Sequence, residues 1–328
     1  MGSISSSMGG VAPARSGPRS LLRRLQVGDA VAHIVTLIFA ASVILITSLL
    51  VFDLWHHSGL ARAKFSWGFI LARVWDPVFE NFGALPFLYG TVVTTVIALL
   101  LAVPLGLGVA IFLAELAPPR ISDALAFVID LLAAVPSVIY GLLGIFVLVP
   151  FMREIAAPFL KSTLGFLPLF RGPSYGVGML TAGLILTIMV VPYIISVSRE
   201  ILLVVPREQR EAALAVGATR WEAIWHVVVP YARNGILGSI FLAMARALGE
   251  TMAVTMVIGN DPSIHTSLFA PGYTIAAVIA NEFTEATGAL YLSALIELGL
   301  VLFLVTFILN GLARLLVLAT TRQAAVSE

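Results

Sequence analysis

The chain has 328 residues, 59% of them hydrophobic and 11% charged, with a formal net charge of +1. Soluble domains carry about 25% charged residues, so this composition excludes a water-soluble globular protein, and the near-zero charge excludes the basic footprint of a nucleic-acid binder. The absence of cysteine excludes disulfides, thiolate catalysis and cysteine metal sites.

Residues 1–20 are rich in Ser, Gly and Pro, and residues 1–30 are predicted to be a disordered segment on the side of the N-terminus. A membrane-spanning helix needs roughly 20 mostly apolar residues, because each adds about 1.5 Å across a core near 30 Å thick. Six stretches meet that length, at about 31–52, 87–114, 123–150, 176–198, 235–259 and 289–316. The first follows basic residues, yet its apolar run exceeds the 7–15 residues of a signal-peptide core, so it is predicted to stay as a helix. Residues 31–86 then hold this helix and an outer segment whose Trp55, Trp67 and Trp75 suit a membrane interface. His56-His57 reads as a wet pair at a membrane edge rather than as a metal site, since the five histidines form no ligand cluster. Residues 151–175 and 260–288 read as short interfacial helices, as a docking floor for an external partner, or as ordinary connectors.

Six spans put both termini on one side. With the N-terminus inside, twelve Arg fall on inner stretches and six Arg or Lys on outer ones, leaving Arg246 within a span. The positive-inside rule therefore predicts cytoplasmic termini, a cytoplasmic loop at 199–234 and a cytoplasmic tail at 317–328.

That loop carries the most specific pattern in the chain. It reads Glu211-Ala212-Ala213, three residues, Gly217, nine residues, then Val227-Val228-Val229-Pro230. Residues 207–223 are predicted to form two short helices broken at Gly217, with Glu208 and Glu211 in the first turn near the positive end of the helix dipole. Gly217 is free to take positive φ, the small alanines permit close approach of another surface, and Trp221 and Trp225 lie one helical turn apart. The alternative is an amphipathic helix lying on the bilayer. No GxxxxGK[ST] phosphate loop occurs anywhere, so the chain binds no ATP by that route.

Four ionisable groups fall within the expected spans: Asp130, Arg246, Glu250 and Glu297. Each costs at least about 2.5–3.5 kcal/mol at mid-bilayer, so each is expected to face a partner or a watery path. Arg246 and Glu250 are four apart, on one face if the helix is continuous, and Thr251, Thr255 and Asn260 extend a polar stripe. A guanidinium suits a tetrahedral oxyanion, and the pair reads either as an anion path or as a structural ion pair. For Asp130 and Glu297 packing or subunit contacts are the simpler roles. Pro104 with Gly106 and Gly108, the Ala133–Ser137 stretch, and Pro192 read as breaks that are hinges or plain packing kinks.

The 211–230 pattern resembles the Glu-Ala-Ala signature of ABC importer permeases, with Val227 and Val229 in place of its Ile and Leu. The run Arg246-Ala247-Leu248-Gly249-Glu250-Thr251-Met252-Ala253-Val254-Thr255, then Gly259-Asn260, is similar to the fifth helix of PstC-type phosphate permeases, as are Ala133–Gly141 and Gly217–Glu222. The resemblance covers about residues 30–316. It implies an all-α integral membrane protein of the type I ABC importer permease fold, with a permease core at 87–316 in a bacterial inner membrane. It further implies a non-enzymatic subunit that imports inorganic phosphate. Its partners would be a PstA-like second permease, two PstB-like ATPases that bind the ATP, and a PstS-like external receptor. The implied translocation residues are Arg246, Glu250, Thr251 and Thr255; Glu211, Ala212, Ala213, Gly217, Trp221 and Pro230 would form the ATPase-coupling loop. A permease for sulfate or molybdate, and a proton-coupled carrier using Asp130, Glu250 and Glu297, are the competing readings.

Overall fold

A computed structural model describes residues 29–326, with side chains from 32 to 315. The expectations for residues 1–28, and for side chains beyond 315, lie outside the described residues. Among the described residues the protein is helical, and its only bridges are the isolated pairs Asp76–Asn81 and Gly259–Gly272. In chain order the helices are α1 Asp29–His57, α2 Gly59–Phe65, α3 Gly68–Leu71, α4 Leu85–Leu116, α5 Pro119–Ala133, α6 Ser137–Leu164, α7 Met179–Leu203, α8 Arg207–Ala215, α9 Arg220–Leu248, α10 Met252–Ile258, α11 Ile275–Glu282 and α12 Ala289–Val326. Residues up to Asp53, carrying most of α1, form one compact unit, and Leu54 onward forms the other.

Among the described residues six helices are long and apolar enough to cross a membrane, but two of them differ from the expected spans. The third expected span, 123–150, is cut by Pro136: the residue before a proline is pushed out of the helical region, so α5 ends at Ala133 and α6 starts at Ser137. The third span is therefore α6, and Asp130 belongs to the separate helix α5. The fifth is α9, which begins at Arg220 and ends at Leu248 rather than running to 259. The tail expected from 317 continues as helix to Val326.

Pro104 and Pro192 break nothing; both lie inside continuous helices. Elsewhere proline leaves a consistent mark. Pro118, Pro150, Pro158 and Pro230 each stand two residues beyond a widened π turn, at 112–116, 144–148, 152–156 and 224–228. In each the residue just before the proline donates its N–H to the carbonyl five residues back, as Val229 does to Ile224. The wider turn makes room for a ring that would collide with an ordinary α turn.

Helix α7 is the axis of the larger unit: 67% of its apolar window is buried, against at most 33% in the other spans of that unit. Lipid tails are as apolar as Leu, so spans associate through close packing of small residues rather than by hydrophobic drive. Gly183 of α7 faces Ile97 of α4, Gly106 of α4 faces Ile194 of α7, and Gly235 of α9 faces Ile201 of α7, each with no room for a Cβ. Gly141 and Gly144 of α6 take Met256 and Val257 of α10 in the same way. At the opposite end from α8, Trp75, Phe82, Phe87, Tyr273 and Tyr291 form an edge-and-stack aromatic cluster, with ring centroids 4.8–6.2 Å apart. Its polar edges converge on Glu282, which accepts from Trp75 Nε1 at 2.8 Å and Tyr291 Oη at 2.7 Å.

Candidate functional site

The segment between α7 and α9 is an elbow. Pro206 precedes α8, whose first turn holds Glu208 but not Glu211. Gly217 takes φ +91°, a conformation that a side chain disfavours, and donates its N–H to Leu214 O at 3.0 Å, so the chain reverses there. A capping box starts α9: Thr219 Oγ1 accepts from Glu222 N at 3.2 Å, and Glu222 Oε2 accepts from Thr219 N at 2.8 Å. The second of the two expected short helices is not separate. From Arg220 the helix runs through the π turn and Pro230 straight into the fifth span.

Of the Glu-Ala-Ala residues, Ala213 is buried while Glu211 and Ala212 are exposed. Trp221 and Trp225 pack edge to face at 5.8 Å. Both are exposed, as are Leu214 and Val216, the last at 86%. The elbow thus presents Leu214, Val216 and the two tryptophans, with short alanines between them, alongside the exposed charges of Arg207, Glu208, Glu211, Arg220 and Glu222.

Its anchorage lies on residues that the sequence reading passed over. Arg210 of α8 grips Glu115 with both ends of its fork: Nε stands 3.1 Å from each carboxylate oxygen and Nη2 2.7 Å from Oε1. The same guanidinium donates to the carbonyls of Leu202, at 2.8 Å, and Val205. A turn away, Arg199 of α7 bonds Ser122 and Asp123 of α5, and Ser196 Oγ donates to Asp130 Oδ1 at 2.7 Å. Asp130 therefore pins α5 to α7. Glu297 of α12 lies 3.6 Å from Arg62 Nε, with its side chain 9% exposed, an ion pair that ties α12 to α2.

The intramembrane pair does not form as expected. Gly249 ends α9, so Glu250 is not on the helical face of Arg246, and no ion pair within 4.0 Å joins them among the described residues. Glu250 instead caps α10, accepting from Ala253 N at 3.2 Å. Thr251 stands at the break, and Thr255 Oγ1 donates to Thr251 O at 2.8 Å. Asn260 closes the other end of α10 by donating to Thr255 O at 3.1 Å, and its Oδ1 is buried without a partner. Arg246 itself is exposed on this unit, its guanidinium carbon 6.0 Å from the Tyr193 ring. Tyr140 feels the same charge and donates to Leu132 O at 2.6 Å. Neither tyrosine was picked as a site residue from sequence, because neither carries a helix-spacing signal.

The depth of Arg246 follows from the α7–α9 contact. Ser198 and Ser239 share a hydroxyl hydrogen bond of 2.8 Å. Arg246 lies seven residues beyond Ser239, about 10 Å along an antiparallel helix, which sets it level with the middle of α7, near residue 191. The guanidinium is therefore close to mid-span.

The protein-family model described as "Binding-protein-dependent transport system inner membrane component" matches residues 102–322. The phosphate transport system permease protein PstC of Mesorhizobium japonicum is 46% identical over 304 residues, covering 92% of this chain and 93% of that protein. This chain belongs to that permease family. The PstC of Xylella fastidiosa is 50% identical over 259 residues, covering 78% and 80%. The probable PstC of Methanocaldococcus jannaschii is 40% identical over 246 residues, covering 73% and 78%. Among solved structures, a chain of the inward-facing MetNI methionine ABC transporter superposes with a TM-score of 0.51 at 17% identity, covering 71% of this chain and 94% of that one. That likeness supports the ABC importer permease fold. The chain is accordingly a multi-pass membrane transport subunit, and the sequence expectation of fold and family is met.

Within this family frame the residues sort into two groups. Glu211, Ala212, Ala213, Gly217 and Trp221 lie together on the elbow, with Pro230 at the joint where α9 leaves it. Thr251, Thr255 and Glu250 gather around α10, while Arg246 stands apart on α9.

Proposed function

We propose that this chain is the transmembrane permease subunit of an ATP-driven importer of inorganic phosphate. It would form half of the translocation path beside a PstA-like permease, receive phosphate from a PstS-like receptor, and take its stroke from two PstB-like ATPases. The names and high identity of its relatives support the substrate. One observation carries the mechanism: an exposed guanidinium near mid-span sits on a helix that is continuous with the elbow.

A tetrahedral oxyanion crossing that level meets five N–H donors in a fixed fork. Glu250 is spent on capping α10, so the Arg246 charge is left to the anion and to the face of Tyr193. The exposed alanines and tryptophans of the elbow would seat in a groove of the ATPase, and the elbow and both termini would then lie on the cytoplasmic side of a bacterial inner membrane. On the spans expected from the sequence, twelve Arg lie inside against six Arg or Lys outside, which supports that orientation. No cofactor is assigned to this subunit; ATP would bind to the partner.

The test is ATP hydrolysis by the reconstituted complex with its receptor. Phosphate should stimulate it while sulfate and molybdate do not; stimulation by sulfate or molybdate alone would reassign the cargo.

A further inference from the structure

We infer that Arg210 is the positioning residue that transmits the stroke, making α8 a rigid extension of α4 and α7 rather than a loop that merely docks. The inference rests on the coupling role proposed above.

Helix α9 is joined to its span by unbroken helix, but α8 is not: it connects to α7 through Val204–Pro206 and to α9 through Val216–Thr219 with its positive-φ glycine. Ala213 is the one buried residue of α8, and among the described residues Arg210 makes every side-chain hydrogen bond from it. Without that grip, α8 would keep only Ala213, its packing against the start of α9 and two linkers, and a push on it would not pass to α4 and α7.

The grip suits the task. Glu115 sits in the last turn of α4, and Leu202 O is an end carbonyl of α7. Both are places where helix dipoles concentrate negative potential and where a cation is favoured. One planar fork engages all of them at once, and the pair is mostly shielded, with side-chain exposures of 20% and 10%. Lysine, a point charge, reproduces neither the bidentate geometry nor the carbonyl contacts.

The test uses the complete reconstituted transporter with Arg210→Gln, Glu115→Gln and the double variant. ATPase co-purification should persist, while phosphate moved per ATP hydrolysed falls at least tenfold in each single variant. The double variant should be no worse than either single, because they remove one shared interaction. A wild-type ratio in both single variants overturns the inference.

A second readout needs no transported substrate. The chain has no cysteine, so Glu208→Cys and Leu116→Cys can carry paired spin labels across the grip. Their distance distribution should be narrow in the parent and broad with Arg210→Gln or Glu115→Gln. An unchanged distribution refutes the grip whatever the cargo. If the parent complex pumps no phosphate yet the distribution broadens, the functional reading fails and the mechanical one stands.

Discussion

Replacing Arg246 by Gln keeps a hydrogen-bonding side chain, though a shorter one, and removes the charge. Two unit charges about 4 Å apart at an effective dielectric of 20 interact by about 4 kcal/mol. That is an upper bound, because Arg246 is exposed on the isolated unit and partly screened. Taking half gives about 2 kcal/mol, a factor of roughly 30 in the rate of passing that level. Arg246→Lys keeps the charge and loses the fork, and its deficit should be smaller, roughly threefold to tenfold. The assay is uptake of radiolabelled phosphate in proteoliposomes, with the amount of assembled complex fixed by ATPase co-purification. Arg246 touches none of the α7–α9 packing glycines, so assembly should be normal. Uptake by Arg246→Gln within threefold of the parent would show that the anion does not pass this guanidinium.

Gly217→Pro should abolish ATPase pull-down with insertion intact, because proline removes the N–H donated to Leu214 O and cannot reach φ +91°; Gly217→Ala has free space around its Cβ and should lose only about 1 kcal/mol, a partial weakening. Glu211→Lys alters an exposed side chain and should weaken pull-down without changing the melting temperature. Thr219→Ala opens the capping box, so it should destabilise the start of α9 by about 1 kcal/mol, read as faster backbone hydrogen exchange at 220–223. Burial pushes the Tyr273 hydroxyl up to about 12, with the Asn281 hydrogen bond opposing the rise. Its folded pKa exceeds the unfolded value of about 10, so the stability it contributes is complete below pH 10 and is lost as pH rises toward 12. Tyr273→Phe should flatten the fall in thermal stability between pH 10 and 12; an unchanged slope would remove Tyr273 as its source.

The spans, the family pattern and the break at Gly217 were legible because they rest on local rules: apolar length, spacing, and a residue free to take positive φ. The two misplaced spans share one cause. Apolar content does not reveal where a helix stops, so 123–150 read across Pro136 and 235–259 read across Gly249. The second error carried the charge pairing with it, since i, i+4 proximity holds only inside one helix. Glu250 followed by Thr251 and an apolar run was a capping signal, and so was Thr219-Arg220-Trp221-Glu222. The grip of Arg210 on Glu115 was out of reach: the two are 95 positions apart, and each alone reads as an ordinary solvated charge.

The shape of α9 bears on how a push at the elbow would reach Arg246. Its only widened turn and only proline lie at the elbow end, at Ile224–Val228 and Pro230, and from Tyr231 to Leu248 it is regular α-helix. It is held closest to α7 at Gly235, against Ile201, and at Ser239, bonded to Ser198. A regular helix held there acts as a lever with unequal arms. From Arg220 to the contact is about 15–19 residues, or roughly 25 Å, and from the contact to Arg246 about 7–11 residues, or roughly 13 Å. A tilt of about 10° would then move the elbow by about 4 Å and the guanidinium by about 2 Å in the opposite sense. Two ångströms is enough to exchange a direct hydrogen bond for none. Small glycine at position 235 keeps this contact tight, and Gly235→Leu, whose Cβ alone would lie 2.5 Å from Ile201 Cγ2, should part the helices and move the fulcrum. Uptake per ATP should then fall while ATP hydrolysis persists. If hydrolysis and uptake fall together in strict proportion, α9 is not the lever.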